Sequence, residues 1–538
     1  MNTTTQTSVF PSLESIPAEY QVNRLDQREY LINGEIRIWN GGQKEVFSPV
    51  RISEGEKSQP YCLGSFPMLG EREAQQALDA ALGAYNKGQG AWPTMKVKER
   101  IACMEKFILL MREQRNDVVN LLMWEIGKNL KDSQKEFDRT VDYIVDTINA
   151  VKELDRKGSR LELEQGIYAQ IKRGPLGVVF CMGPYNYPLN ETFATLIPAL
   201  IMGNTAILKP AKYGVLLLRP LLEAFKESFP AGVVNVLYGK GSVLGDYLMK
   251  TGDIDVLAFI GSTRVANSLK RAHPKPNRLR GVLGLEAKNP AIVMSDCDLD
   301  QAVNECVLGS LSYNGQRCTA LKILFVHDSV LDEFVAKFTT AIARVEAGMP
   351  WENTQITPLP EPDKPQYIND LIEDSIRHDA KLISPHNTMD DHSMVYPKIL
   401  VNVNHKMRVY HEEQFGPIIP IVPFSDIEVP IEYLTESPYG QQVSLFSQSA
   451  DTLAELIDPL VNQVCRVNVN SQCQRGPDIY PFNGRKNSAE GTLSVSDALR
   501  QFSIRTLVAA KSNEQNKKII SDIYANRSSN FLSTDFIL

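Results

Sequence analysis

The chain has 538 residues, of which 43% are hydrophobic and 22% charged, as is typical of a globular protein with two or three domains. Its net charge of −7 argues against a nucleic-acid-binding protein. Eight cysteines without a Cys-x-x-Cys pair fit neither a disulfide framework nor a zinc site. We therefore expect a reducing compartment, the cytoplasm, and no metal site.

The sequence shows no sorting or membrane segment. Residues 1–17 lack the basic and apolar regions of a signal peptide, and the longest apolar run, residues 193–202, is half a membrane span. We therefore expect a soluble protein that does not contact a membrane.

The first elements are predicted from their periodicity. Residues 30–39 are typical of a β-hairpin around the turn at Asn33 and Gly34, in an amino-terminal arm that packs on a domain. Apolar residues at helical spacing predict a helical layer over residues 71–124 and another helix over residues 132–154. Arg139 lies in this last helix.

For Arg139 the ordinary interpretation is a solvated side chain paired with Glu136 or Asp142 on the same helix. Periodicity and composition give it no further role.

Strands and helices alternate after residue 161. The predicted strands cover residues 176–182, 204–208, 233–237 and 256–260, and the predicted helices cover residues 190–202 and 216–228. This order is typical of a doubly wound parallel sheet, whose ligands bind at the carboxyl ends of the strands. We expect a nucleotide there.

A glycine pattern follows one of these strands. Gly239, Gly241 and Gly245 precede and open a helix, but they miss the usual dinucleotide spacing by one residue. A nucleotide site and an ordinary strand-to-helix turn both remain open for them.

One cysteine is a candidate nucleophile. Arg317 directly precedes Cys318, in a polar turn with Asn314 and Gly315, which is an electropositive setting that suits a reactive thiol. The alternative for any single cysteine is a small buried hydrophobic residue.

Four further motifs accompany this turn. They are Gly-Pro-Tyr-Asn-Tyr-Pro at 183–188, Lys-Pro-Ala at 209–211, Phe-Ile-Gly-Ser-Thr at 259–263 and Glu-Glu-Gln-Phe-Gly-Pro at 412–417. With Gly-Gln-Arg-Cys at 315–318, their order and spacing resemble the aldehyde dehydrogenase superfamily over residues 45–511. The resemblance implies an α/β fold with a Rossmann-type cofactor domain, an α/β catalytic domain and a small β oligomerisation flap.

The resemblance also implies domain boundaries. The NADP-binding domain would cover residues 1–157 and 175–283, the catalytic domain residues 284–485, and the flap with a C-terminal extension residues 158–174 and 486–538. A strand at residues 505–511 would extend into a neighbouring subunit of a homodimer or homotetramer. We assign no function to residues 512–538.

Individual roles follow from the resemblance as well. Cys318 would form a thioester with an aldehyde, while the Asn186 amide and the Cys318 backbone N–H would hold the oxyanion. The cofactor would be bound by Lys209 at the adenosine ribose, Gly241 and Gly245 at the strand-to-helix turn, Ser262 at the pyrophosphate, and Glu413 and Phe415 at the nicotinamide.

The choice between the two nicotinamide cofactors depends on Lys212. Relatives that prefer NAD typically carry Glu three residues after the strand-end Lys, where it would repel a 2′-phosphate that a cation attracts. We therefore expect NADP rather than NAD. The alternative is that Lys212 points to solvent.

Other motifs are similar to one branch, the non-phosphorylating NADP-dependent glyceraldehyde-3-phosphate dehydrogenases. They are Met-Pro-Trp-Glu at 349–352, Thr-Pro-Leu-Pro-Glu-Pro at 357–362 and Gln-Arg-Gly-Pro-Asp at 474–478. That branch holds the substrate phosphate with residues that match Arg139, Tyr187, Arg317 and Arg475, and guanidinium forks suit such a dianion. We expect this positive charge to lower the pKa of the Cys318 thiol.

One position departs from the family. The deacylating Glu of the family is Gly284 here, in Gly-Leu-Glu-Ala-Lys at 284–288. In an extended segment Glu286 faces the same side as Gly284. Glu286 is therefore either a displaced base that acts through water or a structural carboxylate paired with Lys288.

Two other activities remain open. Ala-Lys-Asn at 287–289 resembles relatives that pass the acyl group to coenzyme A, so a coenzyme-A-acylating aldehyde dehydrogenase is the nearest alternative. A catalytically silent binding or structural member of the family is the other.

Overall fold

Two large sheets, each built mainly from parallel strands, organise the fold. The structure, a computed structural model, describes residues 9–55, 57–386 and 388–535. Part of the amino-terminal stretch used for the signal-peptide prediction, residues 1–8, and the last three residues of the extension, 536–538, lie outside the described residues.

The strands of the described chain are β1 (Leu25–Asp26), β2 (Glu29–Ile32), β3 (Glu35–Ile38), β4 (Gln43–Glu54), β5 (Lys57–Pro67), β6 (Leu161–Glu164), β7 (Ile167–Pro175), β8 (Val178–Met182), β9 (Thr205–Lys209), β10 (Val234–Val236), β11 (Val256–Ile260), β12 (Arg280–Gly284), β13 (Asn289–Val293), β14 (Leu321–His327), β15 (Lys381–Ile383), β16 (Lys398–Val401), β17 (Ile418–Phe424), β18 (Tyr439–Gly440), β19 (Gln442–Phe446), β20 (Arg466–Val469), β21 (Arg485–Lys486), β22 (Ala489–Glu490) and β23 (Ser503–Lys511).

The α-helices of the described chain are α1 (Glu71–Tyr85), α2 (Ala91–Thr94), α3 (Val97–Glu113), α4 (Arg115–Ile126), α5 (Leu130–Gly158), α6 (Asn190–Ile201), α7 (Leu222–Ser228), α8 (Gly241–Thr251), α9 (Thr263–Ala272), α10 (Leu299–Leu311), α11 (Leu331–Ile342), α12 (Lys364–Arg377), α13 (Arg408–His411), α14 (Glu428–Glu436), α15 (Ala450–Leu460), α16 (Val495–Gln501) and α17 (Glu514–Asn526). Short 3₁₀ turns cover Leu13–Ser15, Ala18–Tyr20, Asn86–Gly88, Leu216–Leu221, Ser312–Gly315, Asp328–Val330 and Pro350–Glu352.

The first sheet has the strand order β22-β12-β11-β8-β9-β10-β2-β3. Its centre, from β12 to β10, is parallel, and every residue of β8 and β9 is buried. Short, fully buried strands of this kind need helices on both faces, so the predicted β-α-β order and the predicted strand β11 are confirmed. The predicted hairpin is also confirmed, because β2 and β3 pair antiparallel around Asn33 and Gly34 and join this sheet.

The second sheet has the order β15-β16-β17-β14-β13-β19-β20, and all its neighbours are parallel except β15 and β16. The carboxyl ends of β13 and β14 therefore lie on the same side of the sheet. Cys318 precedes β14 and lies at the amino-terminal ends of these strands, which face the first sheet across a cleft. With both sheets the protein has the predicted α/β fold. The predicted domain boundaries stay a prediction.

A third, antiparallel sheet has the order β23-β7-β6. The carboxyl-terminal strand β23 pairs along its whole length with β7 of its own chain. Within the described chain β23 is an edge strand, and it exposes Ile504, Leu507 and Val508. Such an apolar edge is typical of a surface that another chain covers.

The C-terminal extension folds back onto this third sheet. Leu532 is buried, Gln170 Nε2 donates to the Ser533 carbonyl at 2.7 Å, and Ser159 Oγ donates to the Asp535 carbonyl at 3.1 Å. The extension is therefore an integral part of the packing around the flap. Among the described helices, none is both long and apolar enough to cross a membrane.

A buried ion pair joins α4, α5 and α6. Lys128 lies in the α4–α5 connection and Glu136 lies in α5, and both side chains are fully buried in contact with each other. Glu136 Oε1 accepts from the backbone N–H groups of Leu189 and Asn190 at 3.0 and 3.2 Å, and Lys128 Nζ donates to the Asn186 carbonyl at 2.7 Å. The pair thus fixes the loop before α6 and the first turn of that helix.

Burial lowers the pKa of Lys128, and the charge of Glu136 opposes this effect. Loss of either partner would leave an uncompensated polar group in the interior. The position of the loop at residues 183–188 therefore depends on this pair.

Replacing Glu136 with Gln is expected to lower the free energy of unfolding by about 3 to 5 kcal/mol, because Lys128 loses its buried counter-charge. A thermal unfolding midpoint measures the effect. Glu153→Gln is the matched control, since Glu153 pairs with Arg156 at the surface and its change is expected to stay within about 1 kcal/mol.

The double variant Lys128→Met, Glu136→Gln should recover part of the loss, because it removes the unpaired ammonium as well. A Glu136→Gln protein that melts at the temperature of the wild type would contradict the proposed dependence on this pair.

Candidate active site

A cleft of about 880 Å³ lies at the carboxyl ends of the first sheet's parallel strands. Met182, Lys209, Ile260 and Gly284, each the last residue of its strand, line one wall, and Cys318 lies in the same cleft. The volume is in the range of sites for organic ligands. The cleft also lies where ligands bind in sheets of this topology.

The turn that carries Cys318 has a fixed backbone. Tyr313, Asn314 and Gly315 all have positive φ, at 49°, 56° and 73°. A Cβ on Gly315 would lie 2.8 Å from two backbone oxygens, so only glycine fits there. The Cys318 carbonyl accepts from Asn289 Nδ2 at 2.8 Å and from Lys322 Nζ at 3.1 Å.

Burial raises the pKa of the Cys318 thiol, and the negative charge of Glu191 raises it further. Lys322, Arg475 and Arg317 lower it, but by less. The sequence-based expectation of a lowered pKa was therefore wrong in its net direction. The cations are present as expected, but burial of the sulfur and the charge of Glu191 together outweigh them.

Asn186 lies beside this turn. It is buried, and its Nδ2 donates to the Gln316 carbonyl at 2.8 Å, which ties the loop before α6 to the turn before Cys318. An amide group has two N–H donors, so one remains for an oxygen bound at Cys318. The arrangement suits an oxyanion that forms when the sulfur attacks a carbonyl carbon.

Lys209 and Ser262 face the cleft from the first sheet. Lys209 is buried and donates to the Pro210 carbonyl at 2.7 Å, and its burial lowers its pKa to about 8. Ser262 is the N-cap of α9, where its Oγ accepts from the Val265 N–H at 3.4 Å. Lys209 thus ends a strand and Ser262 starts a helix at the cleft, and their roles in binding a cofactor stay predictions.

The two glycines of α8 have different surroundings. Gly241 opens the helix at the cleft, where a Cβ would lie 3.7 Å from Lys209 Cε. Gly245 lies outside the lining of the cleft, and a Cβ there would lie 3.0 Å from Leu269 Cδ2 of α9. The second glycine therefore allows α8 and α9 to pack closely.

Lys212 is exposed at the margin of the cleft, and its Nζ donates to the Tyr213 hydroxyl at 2.9 Å. Its ammonium group is on the cleft side rather than remote from it. Tyr213 lines the same cleft, so this hydrogen bond lies at the cleft margin.

Glu413 and Phe415 form the opposite wall. Glu413 Oε1 accepts from Lys322 Nζ and from the Ala287 N–H, the latter at 3.2 Å. The ring of Phe415 packs edge-on against Tyr185, with 6.0 Å between ring centroids. These contacts hold a carboxylate and an aromatic face toward the cleft, as expected from the sequence.

Glu286 lies in the cleft, but it is held at the start of α9. Its Oε2 accepts from the Thr263 N–H at 3.0 Å and from the Thr263 hydroxyl at 2.6 Å. The alternative of an ion pair with Lys288 is wrong, because Lys288 is buried and donates to the Glu412 carbonyl and the Gln414 side chain. Its role as a displaced base stays a prediction.

Gly284, which replaces the family's carboxylate, ends β12 at the cleft. A Cβ at this position would lie 3.4 Å from Ile260 and 3.6 Å from Leu493, which are ordinary van der Waals contacts. Packing therefore does not require glycine here.

The four predicted phosphate ligands lie near one another behind the lining of the cleft. Arg139 donates from Nε and Nη2 to both carboxylate oxygens of Asp478, at 2.8 and 2.6 Å. Its expected pairing with Glu136 or Asp142 is therefore wrong. Arg475 is buried and forms ion pairs with Glu191 and, at 3.3 Å, with Asp478.

The other two of the four have fewer partners. Arg317 Nη2 donates to Thr319 Oγ1 at 3.1 Å, and the ring of Tyr187 lies 3.6 Å from Lys128 Nζ. Burial raises the pKa of Tyr187, and the charge of Arg317 opposes the rise, which places both residues in one electrostatic environment.

Sequence reasoning missed the two carboxylates, Glu191 and Asp478. Glu191 is the only charged residue of α6, and an acidic residue in an otherwise uncharged helix was a usable signal. Asp478 lies 339 residues from Arg139, so no local pattern predicts their contact. Three guanidinium groups and two carboxylates leave one net positive charge in this cluster.

Comparison with known proteins agrees with this geometry. The chain matches the model of the aldehyde dehydrogenase family over residues 51–508. It is similar to the NADP-dependent glyceraldehyde-3-phosphate dehydrogenase of Streptococcus equinus, with 32% identity over 499 residues, 90% of this chain and 98% of that relative. It is also similar to aldehyde dehydrogenase, cytosolic 1, of Rattus norvegicus, with 30% identity over 534 residues, 94% of this chain and 99% of that relative.

Among solved structures, the chain is similar to NADP-dependent glyceraldehyde-3-phosphate dehydrogenase from Bacillus halodurans C-125 complexed with NADP. The TM-score is 0.82 at 30% identity, with 91% of this chain and 100% of that chain covered. On sequence, fold and the arrangement of Cys318 and Asn186, this chain belongs to the aldehyde dehydrogenase family.

Proposed function

We propose that the protein oxidises glyceraldehyde 3-phosphate, or a similar phosphorylated aldehyde, to the carboxylate with NADP, through a thioester on Cys318. The observation that carries this proposal is the position of two guanidiniums beside the nucleophile: Arg317 directly precedes Cys318, and Arg475 is paired with Glu191, which lines the same cleft. An aldehyde with its carbonyl at Cys318 would have its anionic end at these guanidiniums. The names of the relatives from Streptococcus equinus and Bacillus halodurans support the same substrate and cofactor.

The chemistry of acylation needs a thiolate and a place for negative charge. Cys318 Sγ would attack the aldehyde carbon, and the free N–H of the Asn186 amide and the Cys318 backbone N–H would donate to the oxygen. NADP, when bound, supplies a hydride acceptor. The carbonyl then reforms as a thioester, and water must release the acid from the sulfur.

The residues of the first sheet fit NADP. The buried Lys209 ammonium has three N–H donors, and Pro210 takes one, so the others are available to ribose hydroxyls. The Ser262 hydroxyl accepts from Val265 and can still donate to a pyrophosphate oxygen. Lys212 at the margin would bind the 2′-phosphate, which distinguishes NADP from NAD.

We also propose a homodimer or homotetramer in the cytoplasm. The exposed apolar edge of β23 would be covered by a second copy of the chain. All eight cysteines are free, at Cys62, Cys103, Cys181, Cys297, Cys306, Cys318, Cys465 and Cys473, which suits a reducing compartment.

Cys318→Ala is expected to bind NADPH like the wild type but to lose both the burst and the steady formation of NADPH, because no thioester can form. Stopped-flow absorbance with glyceraldehyde 3-phosphate measures both phases. Cys103→Ala, at a half-buried cysteine outside the cleft, is the control and should keep the wild-type rates. Turnover by Cys318→Ala near the wild-type rate would end the covalent mechanism.

Arg317→Ala is expected to lower kcat/KM for glyceraldehyde 3-phosphate by about 10- to 150-fold, since charge-assisted hydrogen bonds contribute about 1.5 to 3 kcal/mol. The loss for unphosphorylated glyceraldehyde should be much smaller. Arg271→Ala, at an exposed site near the end of α9, controls for a general loss of charge. Equal losses on the two aldehydes would exclude Arg317 from a phosphate site.

Lys212→Glu is expected to shift the ratio of kcat/KM for NADP over NAD toward NAD by about tenfold, because repulsion of the 2′-phosphate replaces attraction. Lys135→Glu, at an exposed site on α5, makes the same charge change away from the cleft. If both variants keep the wild-type ratio, Lys212 does not select the cofactor.

A further inference from the structure

Glu191 is a carboxylate in the cleft that the proposed function does not use. Its side chain is only 8% exposed, yet it lines the same cleft as Cys318 and Asn186. It forms an ion pair with Arg475 and is the only charged residue of the buried helix α6. Burying a charge is costly unless the charge is paired. Contact with water therefore does not explain why a carboxylate is present in this helix.

Glu191 lines the same cleft as Cys318, and its charge affects the Cys318 thiol. After burial of the sulfur, the charge of Glu191 is the main cause of the raised pKa of Cys318. A fixed negative charge beside a thiol opposes thiolate formation and would hinder the reaction. The same carboxylate assists the reaction if it accepts the proton that the thiol loses.

Two other carboxylates of the cleft, Glu286 and Glu413, are less suited to this task. Position 284, where the family has its base, is glycine. Glu286 receives two hydrogen bonds from Thr263, and Glu413 binds Lys322 and the Ala287 N–H. Glu191 differs from both because its partner, Arg475, has a second carboxylate available.

That second carboxylate allows an exchange of partners. Asp478 binds Arg475 at 3.3 Å and also holds Arg139 through two hydrogen bonds, so Arg475 stays compensated if it leaves Glu191. A phosphate group offers Arg475 stronger and more numerous acceptors than a carboxylate. A phosphate dianion added to one net positive charge gives one net negative charge, and a proton on Glu191 would restore neutrality.

We propose that Glu191 is the general base of the reaction and that binding of the substrate phosphate to Arg475 releases it for that role. This inference rests on the proposed function, since it needs an anionic substrate. Glu191 is thereby activated only when a phosphorylated aldehyde is present. Unphosphorylated aldehydes would leave it paired with Arg475 and would react slowly.

Glu191 would accept a proton in both chemical steps, acylation and hydrolysis. In acylation the Cys318 thiol proton moves to the Glu191 carboxylate, the sulfur bonds to the aldehyde carbon, and the hydride leaves with its electron pair to NADP as the thioester forms. Glu191 then loses its proton to solvent through the cleft. In hydrolysis water gives a proton to Glu191 while its oxygen bonds to the acyl carbon, and the carbon–sulfur bond breaks to regenerate the thiolate.

The test compares Glu191→Gln with Glu286→Gln in stopped-flow formation of NADPH from glyceraldehyde 3-phosphate. Glu191→Gln keeps a side chain of the same shape and is expected to lose about 100-fold or more in both phases. Glu286→Gln measures the competing candidate base, and Glu373→Gln, at an exposed site on α12 outside the cleft, is the control that should keep the wild-type rates. Bound NADPH fluorescence and the thermal midpoint show whether each variant is folded.

Chemical rescue separates catalysis from structure. Formate should restore part of the rate of Glu191→Ala but none of the rate of Glu286→Ala, because it replaces a missing carboxylate base only where that base acts.

The exchange of partners has its own test. Inorganic phosphate is expected to raise the rate at which the wild type oxidises unphosphorylated glyceraldehyde, and to have no effect on Glu191→Gln. Absence of stimulation in the wild type would overturn the exchange. An increase in rate in both proteins would show that phosphate acts without Glu191 and would overturn it equally.

The outcomes also separate this inference from the proposed function. If the wild type forms no NADPH from glyceraldehyde 3-phosphate, the proposed function fails and this inference fails with it. If the wild type is active and Glu191→Gln keeps its rate while Glu286→Gln loses the steady phase, only the assignment of Glu191 is overturned. A change in KM alone in Glu191→Gln would also overturn it, since a base acts on kcat.

Discussion

The active-site geometry depends on one buried ion pair, between Lys128 and Glu136. Glu136 takes the first backbone N–H groups of α6, and Lys128 takes the carbonyl of Asn186 from the loop before it. The Asn186 amide can then reach the Gln316 carbonyl in the turn before Cys318. Glu191 lies in the first turn of the same helix, so its position relative to the sulfur is set by the same pair. Burying the charges of Lys128 and Glu136 is costly, and this cost is offset because the two side chains pair with each other and bind several backbone groups.

Charge in the cleft is balanced locally rather than left as a positive field. Arg139 and Arg475 share Asp478, Arg475 also binds Glu191, and Lys322 binds Glu413. The guanidiniums lower the pKa of the Cys318 thiol, but burial and the charge of Glu191 outweigh them and keep it raised. In such a site an anionic ligand would change the reactivity of the nucleophile by pairing with an arginine. The carboxylate that this arginine bound before would then be released.

The sequence was informative where structure is local or periodic. Strand β11 has the predicted bounds, and α5 extends the predicted helix by two residues at one end and four at the other. Lys209, Ser262 and Gly284 were expected at one site from the resemblance to the family, and they line one cleft because the parallel strands of a sheet end on the same side. The contact of Arg139 with Asp478 joins segments 339 residues apart, and no periodicity encodes it. The raised pKa of Cys318 depends on burial, which a residue pattern around the cysteine does not reveal.

Packing does not require the absence of a carboxylate at position 284. A Cβ at Gly284 would make ordinary contacts with Ile260 and Leu493, so a larger residue would be accommodated at the backbone. Glycine there leaves one wall of the cleft without a base, while Glu191 approaches from α6 on the side of the arginine cluster. In the proposed mechanism a base on that side would be adjacent to the anionic end of the substrate, whereas a base at position 284 would be on the wall that also carries Ser262 and Glu286. The proposed base would therefore couple proton transfer to recognition of the substrate's charge, which a base at position 284 would not do.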